Sequence, residues 1–203
     1  VEVVKMLDVA DKYVDELNQK LYNIWYDPKY MYYFCCPHRG TYSVDPNGDW
    51  DGRNFVSINS DGKIIGYIHY SICRTADYVD DFGAVNFSDD PKDKYTFGKD
   101  LRQVIDDIFL KFNHNRLEFT VVEDNPIRKT YFKLVNKYGG RIIGVKHCVV
   151  KLINGEVTNK IYFEILRSDY IAACNTIKKL SDYHKKQNAK KYTYGVLEQI
   201  DQQ

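Results

Sequence analysis

The 203-residue sequence has no apolar run approaching the ~20 residues that cross a bilayer as a helix. It has no GxSxG, no HExxH and no full P-loop, so a serine nucleophile, a zinc protease site and a Walker-type NTPase are all without support. Net charge is only +1, which removes any molecule-wide attraction to nucleic acid or anionic lipid. Five cysteines, an odd number, do not make a disulfide framework and point to a reducing compartment. Internal repeats and low-complexity tracts are missing. The first residues, VEVVKMLDVADKY, carry charge throughout and lack the pattern of a secretory signal, so a cytoplasmic protein without membrane contact is expected. Cys35-Cys36-Pro37-His38 gathers thiol and imidazole donors. Adjacent cysteines lack the two-residue gap of a zinc knuckle, however, and no second Cys/His pair follows, so no metal is expected.

What is present is core material. Hydrophobic residues make up 44% and aromatics 15%, enough for one globular domain with or without an appendage. In chain order the patterns predict a short strand over 1–7, then a helix with Val14, Leu17, Leu21, Ile24 and Trp25 on one face. The aromatic, turn-rich connection Lys29–Trp50 has no clean period. Strands at 53–58 and 63–72 are joined by Asn59-Ser60-Asp61-Gly62, a hairpin signal, and a third strand covers 78–87. A polar loop, Ser88–Thr96, precedes an amphipathic helix carrying Leu101, Val104, Ile105, Ile108, Phe109 and Phe112 on one face.

The most ordered stretch is Arg116–Gly144. A strand, Leu117–Val122, stops at Asp124-Asn125-Pro126, where Asn125 is a good N-cap and Pro126 suits the first helical position. Ile127, Tyr131, Leu134, Val135 and Tyr138 form an apolar stripe, and Gly139-Gly140 ends the helix. A hairpin with strands over 141–153 and 160–167 turns at Asn154-Gly155; His147 and Cys148 lie in its first strand. From Ser168 a last helix is expected, with Ile171, Cys174, Ile177 and Leu180 on one face. Its basic tail contains Lys178, Lys179, Lys185, Lys186, Lys190 and Lys191. Such a run is ordinarily a solvated face, and its sharper reading is a nucleic-acid or acidic-partner surface.

The order strand, helix, loop, three strands, helix, strand, Asn-started helix and two strands resembles the GNAT superfamily of acyl-CoA-dependent N-acyltransferases. The resemblance spans residues 1–167, and 168–203 would be a basic C-terminal helical extension. It implies an α+β, three-layer α/β/α fold with a central mixed, mostly antiparallel sheet. In that fold the strand at Phe82–Phe87 splays from Leu117–Val122 in a V. It also implies acetyl-CoA as co-substrate and a small-molecule or protein amine as acceptor, with the 29–50 connection walling the acceptor site. The pantetheine arm would run along Val85 and Phe87, with Asn125 nearby, and the pyrophosphate would rest near Phe97, Gly98 and Lys99.

Two positions depart from the family pattern. Only Gly98 of Tyr95–Asp100 matches the family's Gly-rich loop; Asp100 replaces a small residue and would repel pyrophosphate unless it points away. Seven residues after Asn125, where the family carries a proton-donating tyrosine, stands Phe132. Tyr131, one residue earlier and about 100° round the helix, is either the general acid or a core aromatic. For the general base the candidates are Asp81 and Glu118, with Asp80 and Glu123 beside them, or a chain of waters. Two functions are compatible with the resemblance: an N-acetyltransferase working by direct attack in a ternary complex, or a GNAT-fold binding protein that has lost the reaction.

Overall fold

The structure, a computed structural model, describes residues 4–24, 27–32 and 51–181, with side chains from residue 13 onward. The elements run β1 (Val4–Lys5), α1 (Met6–Ile24), a 3-10 turn (Pro28–Tyr30), β2 (Gly52–Ile58), β3 (Ile64–Cys73), β4 (Tyr78–Asn86) and α2 (Pro91–Asp106). Next come a π turn (Asp107–Lys111), β5 (Arg116–Val122), α3 (Arg128–Tyr138), β6 (Arg141–Lys151) and β7 (Val157–Leu166). A final helix, α4, covers 167–181. Among the described residues the strands form one seven-stranded sheet in the order β1-β2-β3-β4-β5-β7-β6, in which β4 and β5 pair in parallel and the others antiparallel. The expected α+β fold with a mixed, mostly antiparallel sheet is therefore present.

Local chemistry sets the joints. Asn59 closes the β2–β3 hairpin: its Oδ1 accepts from the N–H groups of Asp61 and Lys63, and Gly62 takes φ 78°. Gly139, at φ 73°, caps α3 in the left-handed region, and the Gly140 N–H donates to Val135 O at 2.8 Å. Any side chain at 140 would run into Glu164 O, 2.6 Å from an added Cβ, so the tight return into β6 requires glycine. The outer strand β6 breaks register between Lys146 and Val150. There Cys148 takes φ 54° and its N–H donates to Asn159 Oδ1 at 2.9 Å. This bulge interrupts an otherwise bare sheet edge.

The sheet is covered unequally. On one face Phe97, Val104, Ile105, Ile108 and Phe109 of the α2 segment and Tyr131, Val135 and Tyr138 of α3 pack on Ile68, Tyr70, Phe82, Leu117, Phe119 and Phe163. On the other, α1 lays Tyr13, Leu17, Leu21 and Ile24 over Val56, Ile64, Tyr67 and Val85. Two expected stripes are rephased. Phe112, expected inward, is 45% exposed, because the π turn inserts a residue and rotates the chain beyond it out of the stripe. In α4 the inward residues are Tyr170, Ala173 and Cys174, while Ile177 and Leu180 are exposed.

The first turn of α4 is consequently part of the core, although the sequence pattern sets a boundary at 167/168. Tyr170 is fully buried, stacks on Phe109 at 4.5 Å, lies tilted against Tyr138 at 4.9 Å, and donates to Asp106 Oδ1 at 2.5 Å. Arg102 pairs with Asp106 at 2.9 Å and lies over the Tyr138 ring at 4.5 Å, completing the joint between α2, α3 and α4. Lys178 and Lys179 lie beyond it on the exposed part of the helix, and the remaining tail lysines lie outside the described residues. No helix among the described residues is long and apolar enough to cross a membrane. Replacing Tyr170 with alanine is expected to cost about 3–5 kcal/mol, as for other large aromatic truncations in a core. Denaturant unfolding of the full chain measures it, and a loss under about 1 kcal/mol would show that α4 is an appendage after all.

Candidate functional site

One extra residue in β4 creates the site. On the β3 side His69 pairs with Gly83 and Ser71 with Asp80, so two steps along β3 face three along β4. On the β5 side Val79 pairs with Leu117 and Phe82 with Phe119, the same mismatch. The surplus falls at Asp81, which is exposed and held at φ 46°. A bulge of this kind bends its strand. β4 leaves β5 after Phe82–Phe119, while β5 stays paired with β7 to Val122–Lys160. A fork thus opens between Gly83–Asn86 and Thr120–Val122, where the family resemblance led us to expect it.

Strand parity decides which backbone groups enter the fork. The Phe87 N–H donates to Ile65 O at 2.8 Å, so 87, 85 and 83 turn their amides toward β3. Ala84 and Asn86 turn theirs into the opening. Val85 and Phe87, expected along the arm, thus turn their amides away from the opening. The Val85 side chain is buried against α1, and Phe87 packs beside it. Tyr30 donates its hydroxyl to Asn86 O at 3.2 Å, so the start of the 29–50 connection reaches the fork. Residues 33–50, including the Cys35–His38 cluster, lie outside the described residues.

Around the apex stand three of the residues singled out from sequence. Tyr131 is buried, with its ring edge-on to Phe119 at 5.0 Å and to Phe163 at 6.2 Å. Burial pushes its phenol up to about 12, and among the described residues its hydroxyl makes no hydrogen bond. Asp81 forms the outer lip. Glu118 lies one residue short of the last β4–β5 pair and is held by Arg116 at 2.9 Å, opposite Glu164 on β7. Glu123 is drawn away to Asn159, whose Nδ2 donates to it at 2.5 Å. Sequence reasoning passed over His69, which faces Gly83 at the fork; a lone histidine in an apolar strand gives no periodic signal.

The end expected to hold the pyrophosphate departs most from expectation. The helix starts at Pro91, not after Thr96, so Phe97, Gly98 and Lys99 lie within its hydrogen-bonded ladder and not at its free N-terminus. Phe97 is a core residue pressed against Gly66, where an added Cβ would come within 2.3 Å of its ring. Gly98 is exposed, with open space beside it. It faces a groove of about 620 Å³ shared with Lys94, Lys99, Arg102 and Asp106. Lys99 lies over the Tyr95 ring at 4.7 Å and forms no ion pair among the described residues. The true N-terminus of α2 is filled by the chain's own acids. Asp90 accepts from the Lys92 N–H at 2.7 Å, Asp93 from the Ser88 hydroxyl at 2.7 Å, and Asp89 binds Lys29 and Lys94. Asn125 uses its Oδ1 to accept from the Ile127 N–H at 3.0 Å in the turn before α3; the helix itself begins at Arg128 with Ile127 as its N-cap, so Asn125 and Pro126 stand ahead of the cap and first helical position expected of them.

Asp100 points away from the groove. It is buried, accepts a short hydrogen bond from the Ser57 hydroxyl on β2, and leaves Oδ1 without a partner among the described residues. Burial pushes its carboxyl above the usual range, partly offset by the Ser57 bond. A carboxyl with a raised folded-state pKa binds its proton more tightly when folded, so it costs stability as pH rises past about 4. Asp100→Asn, which keeps an acceptor for Ser57, is therefore expected to stabilise the protein at pH 7, with the advantage vanishing below about pH 4. Thermal unfolding of both forms across pH tests this; an equally large difference at low and neutral pH would refute it.

No protein-family model matches this chain, and no curated protein matches it in sequence. Solved structures do match. Spermidine N-acetyltransferase from Vibrio cholerae, in complex with CoA and spermine, superposes with a TM-score of 0.59 at 18% identity, over 78% of this chain and 92% of that one. A probable GNAT-family acetyltransferase from Chromobacterium violaceum gives 0.57 at 14% identity, over 79% and 85%. Among the described residues, no group of three His, Cys, Asp or Glu side chains is placed to hold a metal ion. With the forked β4–β5 pair, the single parallel step and β7 lying between β5 and β6, the chain has the GNAT acetyltransferase fold, in a divergent form.

Proposed function

We propose that the protein transfers an acetyl group from acetyl-CoA to a primary amine by direct attack in a ternary complex. The observation that carries this reading is the fork, with the backbone of Ala84 and Asn86 turned into it. An extended chain carrying amide groups fits there as an added strand, paired through main-chain groups alone. Acetyl-CoA has such a chain in its pantetheine arm and supplies the activated thioester. The chain's residues fit that arm better than they fit the diphosphate, since the α2 N-terminus already faces Asp89, Asp90 and Asp93. Lys99, beside Gly98, is the cation we assign to the diphosphate. Asn125 holds the entry of α3 near the arm.

Tyr131 is the proton donor in this reading. A phenol held near 12 stays protonated at neutral pH, so it can give a proton to a departing thiolate and cannot serve as a base. Phe119, to which its ring is fixed, is the last β5 residue paired with β4. The acceptor amine is of small-molecule type, a reading supported by the spermine bound in the Vibrio cholerae relative. A second reading, a GNAT-fold binding protein without catalysis, is favoured by the acid-filled helix N-terminus and by Phe132. In that reading 168–203, with Lys178 and Lys179, contacts a partner.

Calorimetry with acetyl-CoA separates the two. The enzyme reading expects binding that saturates below about 1 mM, and absence of heat at millimolar ligand selects the binding protein. Tyr131→Phe is expected to lower turnover by about 100-fold or more. Its stability should change by less than about 1 kcal/mol, because no protein hydrogen bond is lost. Unchanged turnover in that variant would take Tyr131 out of the mechanism.

A further inference from the structure

His69 stands on β3 opposite Gly83, the first β4 residue past the last β4–β5 pair. Its imidazole is pressed against the bare Cα of that glycine with Nε2 foremost: a Cβ at 83 would sit 2.2 Å from Nε2 and 2.9 Å from Cε1. Tyr67 stacks alongside the ring at 5.4 Å and 22°. Among the described residues neither ring nitrogen has a hydrogen-bond partner. His114, by contrast, is tied to Asp77 at 2.8 Å. Gly83 thus leaves room for an imidazole at the apex of the fork, on the α1 face of the sheet. Tyr131 occupies the opposite face, with α3.

We propose that His69 is the general base of the acyl transfer. The assignment rests on the acyltransferase reading. In the step, the acceptor ammonium gives one proton to the free imidazole, which becomes imidazolium. The neutral amine then attacks the thioester carbonyl, the C–N bond forms, and the C–S bond breaks with its electron pair leaving on sulfur. The thiolate takes a proton from Tyr131, the nitrogen's second proton restores the phenol through water, and His69 releases its own proton to solvent. The sum is amide, free thiol and one proton.

Electrostatics agree with that role. Burial lowers the proton affinity of His69 below that of an ordinary histidine, which keeps it unprotonated and ready at neutral pH, and the Asp81 carboxylate on β4 raises it part of the way back. The neighbours across each strand, Asn54 on β2 and Gly83 on β4, carry no charge. From α1 the residues turned to this face are Tyr13, Leu17, Leu21 and Ile24, and Tyr67 is the ring alongside. Asp81 is therefore the charged group that sets the balance. Glu118, the other carboxylate on hand, is committed to Arg116.

The test uses the full chain with acetyl-CoA, spermidine as the probe amine, and pH from 5 to 9. His69→Gln is expected to bind acetyl-CoA as the parent does, yet turn over about 100-fold more slowly and lose the acidic limb of the pH profile. Gly83→Ala, whose methyl displaces the ring, should show the same loss with His69 still present. An acceptor-free readout is the Cε1 proton of His69 followed by NMR: it should titrate below the ordinary histidine value, and lower still in Asp81→Asn. A His69→Gln enzyme with parental turnover and an intact acidic limb overturns the assignment. So does a His69 resonance that titrates like a surface histidine and ignores Asp81→Asn. Failure of the parent to bind acetyl-CoA overturns the acyltransferase reading instead, and the two failures are thus told apart.

Discussion

Everything distinctive in this molecule depends on a single surplus residue in β4. Two strands in register would pair to their ends, and their backbone groups would be mutually satisfied. Asp81 prevents this by adding one residue against both neighbours at once, so β3 and β5 each see β4 step out of phase. The antiparallel β3–β4 pair recovers register beyond the bulge, from His69–Gly83 to Gly66–Asn86. The parallel β4–β5 pair does not, and the asymmetry has a physical cause. β5 is held on its far side by seven consecutive pairs with β7, so it cannot follow β4 as that strand bends away. The strain of a left-handed aspartate, of order 1–3 kcal/mol, is borne by the packing of Phe82 against Phe119 and the flanking helices.

The fork divides the chemistry between two faces. α2, α3 and α4 cover one face through a continuous aromatic layer of Phe109, Phe119, Tyr131, Tyr138, Phe163 and Tyr170. That layer fixes the Tyr131 ring by edge contacts, and among the described residues its hydroxyl has no polar tether. The other face carries α1 over the β2–β4 half, and there His69 is fixed by Tyr67 and by the missing side chain at Gly83. In the proposed function a proton donor and a proton acceptor are thus delivered from opposite sides to one apex. Among the described residues neither is hydrogen-bonded to the other or to a neutralising partner.

Much of the fold was legible from sequence because its signals are local. Asn59–Gly62 announced a hairpin and Gly139-Gly140 a helix stop, each by satisfying or releasing particular backbone groups, while Asn125-Pro126 form the turn two residues ahead of the helix they announced. What sequence concealed is relational. The bulge at Asp81 is visible only as a count against two other strands. Pro91 starts α2 because Asp90 caps it, but a run with Asp89, Lys92 and Lys94 and no apolar period reads as a polar loop. The same early start moved Gly98 from a helix terminus into its second turn and beyond, and so detached the Gly-rich pattern from the backbone amides it is meant to expose. Phe112 and the α4 stripe from Ile171 are misphased for a related reason, since the π turn and the entry of α4 each shift a stripe by about one residue.

The filled N-terminus of α2 changes how an anionic ligand must be held. A helix start ordinarily offers free amides and the positive end of a dipole, an interaction that holds at any side-chain composition. Here Asp90 takes the Lys92 amide, and Asp89 and Asp93 add two more carboxylates within a turn, so the dipole is already answered by the chain itself. Two lysines, Lys29 and Lys94, are consumed in neutralising Asp89. Attraction for a diphosphate therefore has to come from side-chain cations further along the exposed face, at Lys99 and beside the Arg102–Asp106 pair, where water and salt screen it. In the proposed function, recognition then rests on the neutral part of the ligand. Main-chain pairing in the fork is indifferent to salt, and it lies next to the residues that would do the chemistry.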